Sequence, residues 1–432
     1  MNFKLEWNRR AFLNGLGGLA GLLAGGAGLE AKAPAKVGTE TTRKALTGFG
    51  ASGQVYEELG VKTVVNGVGT MTFLGGSLVP QEVVDVMDAA SKHFVNIVDL
   101  SHAAGKRISQ MLKLPEDYTA LVTSGAAGAI VCGYAGILTG GKQEFIERIP
   151  DLTGMKTEVL IQKSHRYPFD HQIRQTGVKL IEVETREEAE KAIGPQTAAM
   201  HFTNLFNQRG RIKVDEWLKI AKSHNLPAFN DAAADTPPIS RLWEYTNMGY
   251  DLVAFSGGKD IRGPQCAGLL LGRSNYIEWA LMNTNPNEDT IGRPSKVGKE
   301  EICGMVKALE IFLASDQDAA LKQYWKQLDY IAAQTSKIPG VSAAYHYDPH
   351  QIANHTVSMQ VSWDPRKISL SGSKVAQELR SGNPCIYIGG GGSQEGGANT
   401  NVHITAWMLK PGEEKIIAER LSEVLRSGLI KA

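Results

Sequence analysis

From about residue 51 to about residue 320, short apolar runs alternate with segments of helical period. The runs at 119–123, 158–161, 180–183 and 199–202 are rich in Val, Ile, Leu, Thr and Ala and too short for helices, which predicts β-strands. Between them, 81–94 places Val83, Val84, Met87 and Ala90 on one helical face, and 214–224 does the same with Trp217, Ile220 and Ala221. A further helix is expected to start near Gly125. Strands and helices in this alternation predict an α/β domain around a mainly parallel sheet. Beyond about residue 321 the pattern changes to a helix near 319–338, a strand near 355–361, a glycine-rich loop at 389–397 and a strand near 401–407. A closing helix follows, with Ile416, Ile417, Leu421, Val424 and Leu425 on one face. This second region reads as a smaller α+β domain.

Bulk properties narrow the function classes. The chain has 432 residues, 42% hydrophobic and 21% charged, with a formal net charge of +1. Such a balance lacks the basic footprint of a nucleic-acid or membrane-surface binder, so no nucleic-acid partner is expected. Cys132, Cys266, Cys303 and Cys385 are widely spaced, which argues against a metal site and against a disulfide framework. The N-terminus departs from globular pattern. Arg9 and Arg10 precede a weakly apolar run with seven glycines from Gly15 to Gly28 and then Ala31-Lys32-Ala33, the order of a twin-arginine signal with a small-residue cleavage site. The expected division is a signal at 1–33, a linker at 34–50, an N-terminal arm at 51–78, a large domain at 79–320 and a small domain at 321–432. A mature protein passed through the twin-arginine export machinery would be periplasmic or otherwise exported, with no membrane attachment after cleavage.

Lys259 stands out. The apolar run 252–255 delivers it into the turn Ser256-Gly257-Gly258-Lys259, and a second apolar run, 267–271, follows. An amine so placed tends to lose solvation and to have its pKa lowered. Asp231 ends the apolar stretch 226–229 and lies 28 residues before Lys259, about the length of one helix and strand, so both are expected at the carboxyl edge of one sheet. A carboxylate beside a pyridine nitrogen and a lysine able to hold an aldehyde as a Schiff base are the two groups pyridoxal phosphate requires of a protein. The turn Thr123-Ser124-Gly125-Ala126-Ala127 leads into a helix whose first N–H groups suit a phosphate. Ser256 could donate to that phosphate, and His165, after the run 158–161, could stack on the ring or move a proton.

These pieces, with the stretches Val65 to Ser77, Asp231 to Pro238 and Gly292 to Glu301, resemble the fold-type I pyridoxal-phosphate enzymes. Within them they resemble the group of selenocysteine synthases and D-glucosaminate-6-phosphate ammonia-lyases. The resemblance covers about residues 55 to 312. It implies a large domain with a mainly parallel seven-stranded-type sheet, a small C-terminal α+β domain, a cofactor lysine at Lys259, a pyridinium partner at Asp231 and a phosphate cradle at Ser124, Gly125 and Ala126. It further implies a homodimer or higher homo-oligomer, with Asn66, Thr70 and Ser77 on an arm across the site. Arg293, Lys296 and Lys299 read either as a solvated run or as contacts for an acidic substrate group. Two departures stand against the group: no domain for transfer RNA precedes the arm, and Gly389 to Gly392 occupy the place where many relatives carry an arginine.

The expected function is therefore a pyridoxal-phosphate lyase acting on a small amine, an amino acid or amino-sugar acid. It would remove the Cα proton, eliminate a Cβ substituent and release ammonia and a keto acid. An aminotransferase, a racemase, a selenium transferase-like enzyme and a non-catalytic periplasmic binding protein of the same fold remain as alternatives.

Overall fold

The computed structural model describes residues 49–50, 52–390 and 399–430. The expected signal at 1–33, most of the linker and most of the glycine-rich loop lie outside the described residues. The first strand, β1 (Val64–Asn66), belongs to the arm. The large sheet has seven strands: β2 (Tyr118–Thr123), β3 (Glu158–Gln162), β4 (Lys179–Val183), β5 (Thr197–Thr203), β6 (Ala228–Asp231), β7 (Leu252–Ser256) and β8 (Gly268–Arg273). Their order is β2-β8-β7-β6-β5-β3-β4, and every pairing is parallel except those of β8, which runs antiparallel to both neighbours. A parallel return from β7 would need a long crossover. The connection 257–267 instead folds back on itself, closed by Gly257 N–H to Ala267 O at 2.9 Å and Gly263 N–H to Gly257 O at 2.8 Å.

Alternation along the strands fills two cores. Leu160, Phe202, Val253 and Phe255 face one layer with Trp217 and Ile302, whereas Val159, Phe229, Leu252 and Ala254 face the other with Tyr134 and Ile277. Strand β5 is buried at all seven positions, as a strand covered by helices on both sides must be. The helix Gly125–Thr139 is apolar around nearly its whole circumference and packs between the sheet and the helix Ser274–Met282.

The C-terminal region has its own sheet of β9 (Val341–His346), β10 (Ser358–Trp363), β12 (Gly389–Gly390) and β13 (Asn401–Thr405), antiparallel in the order β12-β13-β10-β9. Leu328, Val361, Ile417 and Leu421 form its separate core with helices Gln317–Thr335, Gly372–Ser381 and Glu413–Ser427. Strand β1 joins this region: it pairs in parallel with β11 (Cys385–Tyr387), and Val65 enters the C-terminal core.

Several boundaries differ from the sequence reading. The helix expected over 81–94 ends at Ser91, and Phe94 is fully exposed beyond it. Val84 does not share the buried face of Val83; one residue further round the helix, it is 43% exposed. The helix Ile97–Leu112, with Asn96 accepting from Val98 N–H as its N-cap, was not anticipated, because its polar face interrupts the apolar pattern.

One contact ties the sheet to the segment that follows β2. A Cβ at Gly268 would come 2.4 Å from the carbonyl carbon of Gly125 and 2.7 Å from Phe255 O, both backbone atoms that cannot swing aside. Gly268→Ala is expected to destabilise the protein by about 1–3 kcal/mol, a strain cost typical of an overpacked interior, seen as a lower urea midpoint. A midpoint equal to that of the wild type would show that the two backbones are not in contact.

Candidate active site

The carboxyl ends of β5, β6 and β7 present Thr203, Asp231 and Ser256 along one edge of the sheet. With the start of helix Gly125–Thr139 and the connection carrying Lys259, they line a cavity of about 400 Å³. Gly125, Ala126, Asp231, Ser256 and Lys259, all singled out in the sequence, meet there.

Lys259 is held by the fold-back turn, where its carbonyl accepts from Arg262 N–H at 2.9 Å. Burial of its amine lowers the pKa, and the Asp231 and Asp235 carboxylates oppose that shift. Asp231 is 6% exposed, and burial pushes its pKa up. The Tyr167 hydroxyl donates to its Oδ2, and Ala233 N–H donates to Oδ1 at 3.1 Å, both lowering the pKa again. An acid and an amine thus share one low-dielectric space, each opposing the other's burial penalty.

At the helix start, Gly125 has φ +67° and open space where a side chain would sit. Its first N–H groups are not capped by a side chain. Ser124 does not line the cavity; its Oγ lies against the helix, 2.2 Å from where a Cβ at Gly128 would be. A glycine, two alanines and free helix N–H groups therefore make the wall, which departs from a cradle that includes the Ser124 hydroxyl.

His165 also departs from expectation. It is completely buried behind the cavity wall, its Nδ1 accepting from Thr203 N–H at 3.3 Å and its ring edge-on to Phe202. The cavity lining carries Tyr167 instead, two residues on, after a short 3₁₀ turn redirects the chain. Asp235 was not singled out by the sequence, although it ends the same Asp-Ala-Ala-Ala-Asp stretch. Its Oδ2 accepts from Tyr245 at 2.5 Å and Asn204 at 2.6 Å, Oδ1 is buried without a partner among the described residues, and burial raises its pKa to about 7.

The arm residues separate. Asn66 stabilises its own turn, with Nδ2 donating to Gly69 O at 2.9 Å and Oδ1 accepting from Val68 N–H at 3.0 Å. Thr70 lines a cleft next to the cavity, together with Lys259. Ser77 is buried, its Oγ without a partner among the described residues. Arg293 and Lys296 line neither the cavity nor the cleft, and Lys299 pairs with Glu300.

The donor set fits pyridoxal phosphate: uncapped helix N–H groups for its phosphate, Asp231 for its ring nitrogen and Lys259 for its aldehyde. No group of His, Cys, Asp and Glu among the described residues could hold a metal ion.

Burial holds His165 neutral by lowering its pKa to about 4. An unfolded chain binds a proton there near pH 6.5, the folded chain does not, so this group subtracts stability as pH falls from about 6.5 to about 4. Asp235, with its raised pKa, acts in the opposite sense. The difference between variants isolates the histidine: His165→Gln is expected to gain stability relative to the wild type across that range. Parallel urea midpoints at every pH would disprove the assignment.

The family described as L-seryl-tRNA selenium transferase (SelA) matches residues 63–381. The chain is 29% identical over 386 residues to D-glucosaminate-6-phosphate ammonia lyase of Salmonella typhimurium, covering 86% of this chain and 97% of that protein. It is 28% identical over 384 residues to a 5'-C-glycyluridine monooxygenase-decarboxylase of a Streptomyces species, covering 86% and 92%. A solved structure of D-glucosaminate-6-phosphate ammonia-lyase superposes with a TM-score of 0.73 at 27% identity, covering 87% of this chain and 98% of that one.

Proposed function

The chain belongs to the L-seryl-tRNA selenium transferase (SelA) family, and from that premise we propose that it is a pyridoxal-phosphate carbon–nitrogen lyase acting on a small amine. Its fold is that of the fold-type I pyridoxal-phosphate enzymes. The observation that carries the reading is the meeting of Lys259, Asp231 and an uncapped helix start in one buried cavity. Likeness along most of the chain to an ammonia lyase supports the reaction type.

Pyridoxal phosphate, when bound, supplies an electron sink for charge that develops on the carbon bearing the substrate amine. The residues prepare the rest. Burial favours the neutral form of the Lys259 amine, which lets Nζ take the proton from Cα. Tyr167 and Ala233 hold Asp231 in a fixed orientation, so its carboxylate would keep the cofactor's ring nitrogen protonated. The helix N–H groups at Gly125 and Ala126, with the Ser256 hydroxyl in the same lining, would hold the phosphate. Loss of the Cα proton and of a Cβ leaving group gives an enamine, whose hydrolysis yields ammonia and a keto acid. Release of ammonia without an added keto acid separates this reaction from transamination.

Two further proposals rest on sequence. The twin arginines Arg9 and Arg10, with the glycine-rich run after them, support export by the twin-arginine route. The family likeness supports a homo-oligomer, and the near-neutral net charge supports a small molecule over transfer RNA as substrate.

Protein incubated with pyridoxal phosphate is expected to show a visible absorbance band and, after borohydride, cofactor covalently fixed to Lys259 by peptide mass spectrometry. Lys259→Ala should lose both, and Asp231→Asn should keep the linkage but lose at least a hundredfold in ammonia release. A band that survives in Lys259→Ala removes the assignment. Because the Lys259 pKa is lowered, the neutral amine forms below the ordinary lysine range. The rising limb of kcat against pH, which reports the substrate-bound enzyme in which the Lys259 amine is free, should accordingly lie below the ordinary lysine range, and a limb within or above that range would contradict a buried general base.

A further inference from the structure

The cavity opens past Thr72, Phe169, Leu205 and Lys259 into a wider cleft of about 780 Å³. If the cavity holds the cofactor, as proposed above, a substrate amine brought to Lys259 must extend the rest of its atoms into this cleft. Its walls are mainly aromatic and polar, with Lys259 and His346 the basic side chains among the described residues that line it. Tyr345, Tyr347 and Trp407 supply aromatic surface, and Thr70, Gln351 and Ser358 supply hydroxyl or amide groups. Lys259 is the only lysine or arginine in its lining among the described residues, and Asp348 contributes negative charge.

A phosphate ester carries a charge of about −1.5 to −2 near neutral pH and needs cationic or clustered N–H donors when it leaves water. The uncapped helix start lies in the cofactor cavity and does not line the cleft. Two adjoining recesses carry an arginine: one shares Val68, Met71, Ser358 and Thr405 with the cleft and holds the exposed Arg380 over the Tyr387 ring at 5.6 Å, and the other shares Tyr347 and Thr356 and holds Arg262, whose Nε donates to Leu78 O at 2.8 Å and which does not line the cleft. Arg380 does not line the cleft itself. Aromatic faces take up the C–H faces of a polyol chain, and amide and hydroxyl groups pair with its hydroxyls.

We propose that the substrate is an amine with an uncharged, hydroxylated tail, of the class of unphosphorylated amino-sugar acids, and that the site discriminates against a phosphorylated tail. The relative named for D-glucosaminate 6-phosphate would then share the reaction type while differing in the charge its substrate carries.

A matched pair of probes tests this: D-glucosaminate and its 6-phosphate, each titrated into the cofactor-loaded protein by calorimetry and followed by ammonia release. The unphosphorylated acid is expected to bind at least tenfold more tightly. In Gln351→Arg, which places a longer, cationic side chain in the cleft, the gap should narrow at least tenfold. Equal or tighter binding of the phosphate by the wild type, binding of neither probe, or a gap unchanged in Gln351→Arg would each overturn the proposal. The cofactor assignment is judged separately, by the visible band and by its loss in Lys259→Ala, so the two readings fail on different measurements.

Discussion

The site depends on one constraint of chain direction: β8 returns antiparallel beside β7, so the connection between them must turn back within 257–267. That fold-back puts Lys259 at the sheet edge with its backbone tied on both sides. The same return sets Gly268 against Gly125, so the strand that follows the lysine's turn meets the helix start backbone to backbone. Asp231, on the strand next to β7, needs no further device to reach the same space. Lys259 and Asp231 are each costly to bury alone, and placing them together offsets part of each penalty while burial still dominates both.

Those two residues were legible because an apolar strand announces its own end. Leu252 to Phe255 and Leu226 to Phe229 mark where a chain leaves the core, and a charged residue just past that point has few places to go except a crevice. The runs that predicted β3 and β5 worked for the same reason, since burial on both faces demands continuous apolar runs, whereas the edge strand β4 buries only Val183. Direction is another matter. The apolar run 267–271 looks the same read either way, and only pairing with β2 and β7 reveals it as the antiparallel member.

What stayed illegible turned on rotations of a single residue. His165 and Tyr167 are two positions apart, and a 3₁₀ turn decides which ring faces the cavity and which fills the core. Ser124 is polar and sits at a helix start, which is where a phosphate ligand is sought, yet its hydroxyl lies along the helix and leaves the wall to Gly125 and Ala126. Asp235 is concealed by repetition, since the second acid of Asp-Ala-Ala-Ala-Asp looks like an echo of the first. The structure separates them by their partners, Tyr167 and Ala233 for Asp231, Tyr245 and Asn204 for Asp235.

The pairing of β1 with β11 bears on how the molecule is made. Residues 64–66 leave the ribosome long before their strand partners at 385–387. Val65 therefore waits, with no core to enter, while more than 300 residues are added. A contact of such sequence separation carries a large loop-closure cost and forms late. The large sheet can assemble as it emerges, whereas the arm settles only once β11 has emerged. The wall of the cleft that includes Thr70 thus takes shape after the sheet that carries Lys259.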